Sequence, residues 1–294
     1  MPDVTVILPT CDRPHLVGRS LASVLQQTWA DLEIILVDNN RLTPPVGENP
    51  ALDGLLRDPR IVIVRDTAST NASQSRNQGL RHARGSWITY LDDDDTYHPD
   101  KVEAQMQRAL ATGSPLVVCG YTVVLTGRRR TPQVDAESYQ GDELLLDTTW
   151  GTPFLFHRAD PSLRFDETLP AGHDELLAHQ MIVRYDLRVV PNCARPLVNV
   201  YPQTGRPRVH ADFAEIWRAY RATARVVGRR YSVTARRTYL LRGMLVRAQG
   251  GDGSWGHCLR LAGAVWRERG GRDWRLVLNS LAYRLKFFRR FIVT

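Results

Sequence analysis

The stretch Ser86-Trp87-Ile88-Thr89-Tyr90-Leu91-Asp92-Asp93-Asp94-Asp95 decides the fold. Its first six residues form an apolar, β-favouring segment after Gly85, and four carboxylates follow without a spacer. A buried strand that delivers acids at its carboxyl end belongs in an open α/β sheet, which binds its ligands at that edge. Four adjacent aspartates repel one another, so a positive partner is expected among them. A hard divalent cation held by oxygen ligands suits that need. An acidic, solvated turn is the plainer reading of a charge run; the strand before it and the Pro99-started helix after it weigh against that.

Outward from this segment the first half of the chain alternates. Val4 to Pro9 reads as a strand, and Pro14 opens a helix with Val17, Leu21, Val24 and Leu25 on one face. Leu32 to Val37 is a second strand, ending at Asp38-Asn39-Asn40, and a loop follows from Thr43 to Asn49. A short helix is expected at Ala51 to Leu56, a strand at Ile61 to Arg65, and a helix over Asn71 to Arg84 closed by Gly85. After the aspartates, Val102, Met106, Ala109 and Leu110 mark the inward face of a helix, and Leu116 to Leu125 reads as a strand. Alternation of this kind predicts an α/β fold with a doubly wound, mostly parallel sheet.

Beyond Gly127 the pattern loosens. Arg128-Arg129-Arg130 reads as a solvated turn, Thr152 to Phe156 as a short β-like piece, Asp174 to Tyr185 as a helix and Arg188 to Pro191 as a short strand. Leu177, Met181 and Ile182 mark the inner face of that helix. Tyr201 to His210 has no periodicity and reads as a loop. From Ala211 the chain is helical and Arg-rich, so a boundary is drawn near 210.

The bulk properties narrow the function classes. The 294 residues are 43% hydrophobic with a formal charge of +8, and Lys101 and Lys286 are the only lysines. Arginine binds phosphate bidentately, which leaves phosphorylated small molecules, nucleic acid or an anionic membrane surface open. No zinc finger or other nucleic-acid module is legible. Cys11, Cys119, Cys193 and Cys258 lie far apart without CxxC spacing, which argues for reduced thiols in a cytoplasmic setting. No basic leader is expected at the N-terminus, and no apolar stretch reaches the roughly 18–20 residues of a membrane span.

Three strand ends converge on one edge of such a sheet. The first ends at Pro9-Thr10-Cys11-Asp12-Arg13, the second at Asp38 and the fourth at the tetra-aspartate. Two acidic strand ends beside a loop bearing Thr10 and Arg13 suit a nucleotide, with an aspartate on the base or ribose and a cation on the diphosphate. Neither GxGxxG nor GxxxxGK[ST] occurs, which disfavours dinucleotide and P-loop binding.

The motifs together resemble those of the family 2 glycosyltransferases, which are inverting enzymes with the nucleotide-sugar-binding GT-A fold. The matching pieces are Val6-Ile7-Leu8-Pro9-Thr10, Glu33-Ile34-Ile35-Leu36-Val37-Asp38, Ser75-Arg76-Asn77-Gln78-Gly79, Leu91-Asp92-Asp93-Asp94-Asp95 with Pro99, and Phe165-Asp166-Glu167-Thr168-Leu169 followed by His173-Asp174. They come in the family's order over residues 4 to about 190, and residues 211–294 add nothing. The resemblance implies a catalytic domain over 1–210, with 1–125 holding the nucleotide-sugar and 126–210 the acceptor and the base, followed by a helical region over 211–294.

The resemblance also implies roles. Asp38 would contact the uracil or its ribose, Asp92 and Asp93 the donor, and Asp94 a Mn²⁺ or Mg²⁺ ion on the diphosphate of a UDP-sugar. Asp95 would instead cap the next helix. Arg76 and Arg13 would approach the phosphates, unless they are a buried structural arginine and a surface one. Asp174 would be the general base; His173 stands where the family usually has an acid, which keeps Glu175 as an alternative. His210, Arg206 and Arg208 would lie on a loop closing over the donor, and Trp150 and Phe154 would form an acceptor platform or belong to the core.

The expected function is single-sugar transfer to a hydroxyl of a glycan, a lipid-linked glycan or a natural product. A non-catalytic basic protein holding a nucleotide, nucleic acid or membrane on the same scaffold is the alternative, with a nucleotidyltransferase third. Residues 281–294 are basic and aromatic. They read as helix packing on the catalytic domain or a second subunit in a homodimer, or as a peripheral membrane contact.

Overall fold

The strand Val4–Thr10 (β1) is apolar on both faces because it lies inside the sheet: Val6 and Leu8 enter one core and Ile7 the other. The computed structural model describes residues 1–132, 136–146, 150–169, 171–202 and 213–249. After β1 come α1 (Pro14–Leu25), β2 (Leu32–Asp38), α2 (Asp53–Leu56), β3 (Ile61–Arg65), α3 (Ala72–His82), β4 (Trp87–Tyr90), β5 (Thr96–Tyr97) and α4 (Lys101–Thr112). The chain continues through β6 (Leu116–Leu125), β7 (Arg128–Arg130), β8 (Ser138–Gln140), α5 (Glu143–Leu146), β9 (Phe156–Arg158), α6 (His173–Arg184), β10 (Val189–Val200), α7 (Phe213–Val227) and α8 (Val233–Gln249).

The sheet order is β3-β2-β1-β4-β9-β6-β10-β5, with β7 on β6 and β8 on β10. Strands β3, β2, β1 and β4 are parallel neighbours, as are β6 and β10. The short β9 runs antiparallel to both β4 and β6, so these two point the same way. The carboxyl ends of β1, β2, β4, β6 and β10 therefore share one edge. On one face α1 and α4 pack through Val17, Leu21, Val24, Val102 and Met106. On the other, Leu177, Met181 and Ile182 of α6 meet Val227, Tyr231, Ala235 and Tyr239 from the α7–α8 region in one cluster. Helices α7 and α8 thus share the core of the sheet they follow.

Several local expectations change. Gly85 does not cap α3, which ends at an extended Ala83. A Cβ at Gly85 would stand 2.5 Å from the Thr5 amide nitrogen, so this glycine serves a close approach of two backbones. Leu110 faces solvent at 67% exposure. Arg128–Arg130 is solvated but forms a strand against β6. Thr152–Phe154 is a 3₁₀ turn, with the strand beginning at Phe156. The short strand expected at Arg188 to Pro191 extends to Val200, because it is the partner of β6, β5 and β8. Trp150 and Phe154 belong to the core, the first edge-on to His179 and the second stacked on Tyr121. Among the described residues Cys11, Cys119 and Cys193 are free thiols, and no helix is long and apolar enough to cross a membrane.

Candidate active site

The tetra-aspartate is not a solvated turn. Asp93 is fully buried and Asp95 nearly so, while Asp92 and Asp94 are half-buried. Helix α1 holds their backbone: Arg19 donates to the Asp94 carbonyl at 2.6 Å and Ser20 Oγ to the Asp95 carbonyl at 2.6 Å. The side chains then divide. Asp93 turns inward, accepting from Thr10 Oγ1 at 2.7 Å and pairing with Arg13 at 2.5 Å. Arg13 also reaches Asp94 at 3.0 Å. Asp92 pairs with Arg76 at 2.5 Å. Asp95 accepts the Tyr201 amide at 3.0 Å and does not cap α4, whose N-cap position is Asp100.

Asp92, Asp94 and Asp95 each present a carboxylate oxygen, all within 4.8 Å of one another. An all-oxygen donor set of this size fits a hard divalent cation such as Mg²⁺ or Mn²⁺. Burial, with the neighbouring aspartates, pushes the Asp93 carboxyl up to about 7 and Asp95 up to about 8; Asp94 is raised for the same two reasons. Such a cluster favours the arrival of positive charge, which the two arginines supply only in part.

A cleft of about 350 Å³ opens beside these carboxylates. The β1 loop contributes Pro9, Thr10 and Arg13, the first turn of α3 contributes Asn71 and Ser75 with Arg76 behind them, and Asp92 to Asp94 close it. Asp38 does not line it. One of its carboxylate oxygens accepts the Val46 amide at 3.0 Å; the other accepts the Asn40 amide at 3.0 Å and faces Arg65 at 2.9 Å. The expectation of a base or ribose contact at Asp38 is corrected accordingly: a side chain 1% exposed, with both oxygens engaged, closes the 38–46 loop. Asn39 and Arg41, next in sequence, line the cleft instead.

That loop is tied to the first one by Asp12. Its Oδ1 accepts the amides of Arg41, Leu42 and Thr43 at 2.8, 2.8 and 2.9 Å. Burial raises the Asp12 carboxyl, but these hydrogen bonds outweigh it and hold the group at about 2. Asp12 adopts φ +53° to do this. The neighbouring Cys11 thiol is raised by burial and by Asp12, which does not suit a nucleophile.

Arg76, only 4% exposed, joins the two halves of the site. One Nη meets Asp92 and the other donates to His173 Nε2 at 3.0 Å. A guanidinium can only donate, so Nε2 accepts and the imidazole is neutral. Burial and the nearby Arg76 charge lower the His173 pKa, in agreement. His173 begins α6, after Gly172 in the left-handed conformation at φ +68°. Asp174 and Glu175 follow in the first turn, half-buried, and Asp174 Oδ1 accepts the Glu175 amide at 2.9 Å. The arginine thus sets the start of α6 beside the aspartates.

Sequence reasoning missed Asp95 as a third carboxylate of the cluster, and Asn39, Arg41, Arg19 and Tyr201. Tyr201 is pinned twice, by its amide to Asp95 and by the Arg19 guanidinium 3.8 Å over its ring. The Arg13 and Arg19 spacing after β1 was the available signal; nothing local marks Tyr201. Arg206, Arg208 and His210 lie outside the described residues, as do 281–294.

A parallel sheet edge, a carboxylate cluster and an arginine-lined cleft define the GT-A class of nucleotide-sugar fold. The model of the family described as glycosyl transferase family 2 matches residues 5–167, and the chain belongs to that family. The succinoglycan biosynthesis protein ExoO of Rhizobium meliloti is 29% identical over 194 residues, covering 60% of this chain and 55% of that protein. The Escherichia coli UDP-Glc:alpha-D-GlcNAc-diphosphoundecaprenol beta-1,3-glucosyltransferase WfgD is 27% identical over 135 residues, 44% of this chain and 51% of its own. The chain therefore spans about half the length of these relatives. Among solved structures, S. aureus TarS 1-349 in complex with UDP-GlcNAc superposes with a TM-score of 0.66 at 15% identity, covering 85% of this chain and 73% of that one, and shows the same fold.

Proposed function

We propose that the protein transfers one sugar from a UDP-sugar to a hydroxyl of a lipid-linked glycan, with inversion and with Asp174 as the general base. The observation that carries this is the cleft at the carboxyl edge of the sheet, where three carboxylates converge beside Arg13 and Arg76. UDP-GlcNAc in TarS supports the donor class, and the named substrate of WfgD supports the acceptor.

In this reading Pro9, Thr10, Arg13, Asn39 and Arg41 surround the nucleotide, and Asp38 shapes the loop that carries the last two. Asp93 stays inside, holding Arg13 in place. Asp92, Asp94 and Asp95 would hold a Mg²⁺ or Mn²⁺ ion, which would supply Lewis-acid neutralisation of the departing diphosphate. Arg76 fixes Asp92 against the start of α6, so donor and base keep one geometry. An acceptor hydroxyl is a poor nucleophile at neutral pH. A carboxylate within hydrogen-bond reach removes its proton as the oxygen attacks the anomeric carbon, and one displacement inverts that centre.

The test is calorimetric titration of UDP, GDP and dTDP with and without Mn²⁺, followed by turnover of the donor class that binds. UDP binding is expected to need the metal and to vanish in Asp94→Ala. Asp174→Asn should keep UDP binding and lose turnover by about 10²–10⁴-fold. Wild-type-like activity in both variants refutes the site. Salt-sensitive RNA binding without nucleotide binding returns the alternative of a non-catalytic basic protein.

A further inference from the structure

The hairpin of β6 and β7 carries Arg128-Arg129-Arg130, all exposed. Among the described residues none of the three has an ion-pair partner. The register places them relative to the site. Val117 and Thr89 both lie opposite Phe156, so β6 from Gly120 onward runs beyond the level at which β4 delivers Asp92. Strand β7 returns along it, with Arg130 opposite Val123 and Arg128 opposite Leu125. At about 3.3 Å per residue the arginines stand on the order of 10–15 Å past that level, on the edge that holds the cleft.

The hairpin is built to hold this position. Thr122 Oγ1 and Thr131 Oγ1 meet at 2.9 Å across its base, and Gly127 makes the turn at φ +71°. Residues alternate in facing, so Arg128 and Arg130 share one face and Arg129 takes the other. Leu125, opposite Arg128, is 43% exposed. Exposed guanidinium groups around a projecting aliphatic side chain complement a surface that offers phosphates outside and hydrocarbon beneath. A nucleic acid would use the charges and leave the leucine without a partner.

We propose that this hairpin docks the protein on an anionic bilayer and holds the cleft towards acceptors anchored there. The delivery of an acceptor rests on the transferase reading above; the docking does not. The test is co-sedimentation of the full chain with phosphatidylglycerol/phosphatidylcholine vesicles and with phosphatidylcholine alone, for wild type and for a variant with Arg128→Gln, Arg129→Gln and Arg130→Gln. Metal-dependent UDP binding and the melting temperature serve as controls for fold and site. Wild type is expected to sediment with the anionic vesicles only. The variant should lose about a hundredfold in partitioning, from roughly fivefold per arginine at an anionic leaflet, with UDP binding unchanged.

Equal sedimentation of variant and wild type overturns the proposal and moves the contact elsewhere in the chain. So does sedimentation with neither vesicle. Release by inorganic phosphate beyond that caused by chloride at equal ionic strength makes the hairpin a small-anion site instead. Loss of single-stranded RNA binding in the variant without loss of vesicle binding makes it a nucleic-acid contact. Failure of UDP binding in wild type would count against the transferase reading and leave docking to be decided by the vesicles.

Discussion

Arg76 concentrates more of the site than any other single side chain. It is buried, it bridges Asp92 and His173, and it couples the strand that bears the aspartates to the helix that bears Asp174. A lysine keeps the charge but lacks the two-nitrogen planar fork that spans Asp92 and His173. Arg76→Lys is therefore expected to lower kcat by about tenfold or more through loss of positioning, with a much smaller change in UDP affinity. An equal loss in both would make the arginine a donor contact only. Whether Arg76 was a phosphate contact or a buried structural residue stayed open from the sequence, because its partners lie 16 and 97 residues away. The aspartate run was legible as a site because its charge density is local. That Asp95 joins it, and that Asp38 turns into its own loop, depends on where Tyr201 and Val46 arrive.

At the scale of elements, the approach of α3 and of the turn after it to β1 is set by two glycines, Gly79 in the helix and Gly85 in the turn. A Cβ on Gly79 would lie 2.4 Å from Ile7 Cγ2, and one on Gly85 would lie 2.5 Å from the Thr5 amide nitrogen. A side chain such as Ile7 can turn away; a backbone amide inside a sheet cannot. Gly85→Ala is expected to destabilise the fold by about 1–3 kcal/mol or more, the range of overpacking, and more than Gly79→Ala. Chemical denaturation of the two variants checks the order, and a smaller effect at Gly85 would contradict the close-approach reading. The helices of the first half were readable from their period because each buries a fixed face, and β1 and β2 from unbroken apolar runs because both of their faces are buried. Beyond Gly127 the reading slipped, since β9 and β10 are strands chiefly through their partners: Phe156–Arg158 is three residues long and takes its form from β4 and β6.

For the whole molecule, buried titratable groups set opposing responses to pH. His179 is fully buried against Trp150 and Tyr231, and burial lowers its pKa to about 3, with the Arg230 charge adding to this. His157, between Tyr90 and the Arg158 carbonyl, is lowered by burial to about 4. The unfolded chain takes up these protons near pH 6.5 and the folded chain does not. Their stabilisation is complete above about pH 6.5 and is lost as pH falls towards the folded values, at up to about 1.4 kcal/mol per pH unit for each histidine. Asp93 and Asp95 act in the other sense: with folded values near 7 and 8, they cost stability as pH rises from the unfolded carboxylate value of about 4 up to those folded values, unless a cation binds beside them. The histidine share is isolated by comparison. His179→Phe should be less acid-sensitive than wild type, its melting temperature gaining on wild type between pH 7 and pH 5; parallel curves would show that His179 titrates normally.

The sequence by itself determined the run of elements through β6 apart from the two-residue β5, the edge of the sheet that carries chemistry, and the aspartate cluster with Thr10 and Arg13 beside it. Those features follow from period, capping and charge density, which act over a few residues. The tertiary structure alone decided which oxygens face a cation, that Asn39 and Arg41 rather than Asp38 line the cleft, and that α7 and α8 share the sheet's core. It also decided that three arginines project on the substrate edge. These depend on strand order and on the reversal at β9, which bring together residues as much as 106 positions apart. No local pattern encodes such a meeting, because its free energy appears only once both partners are already in place.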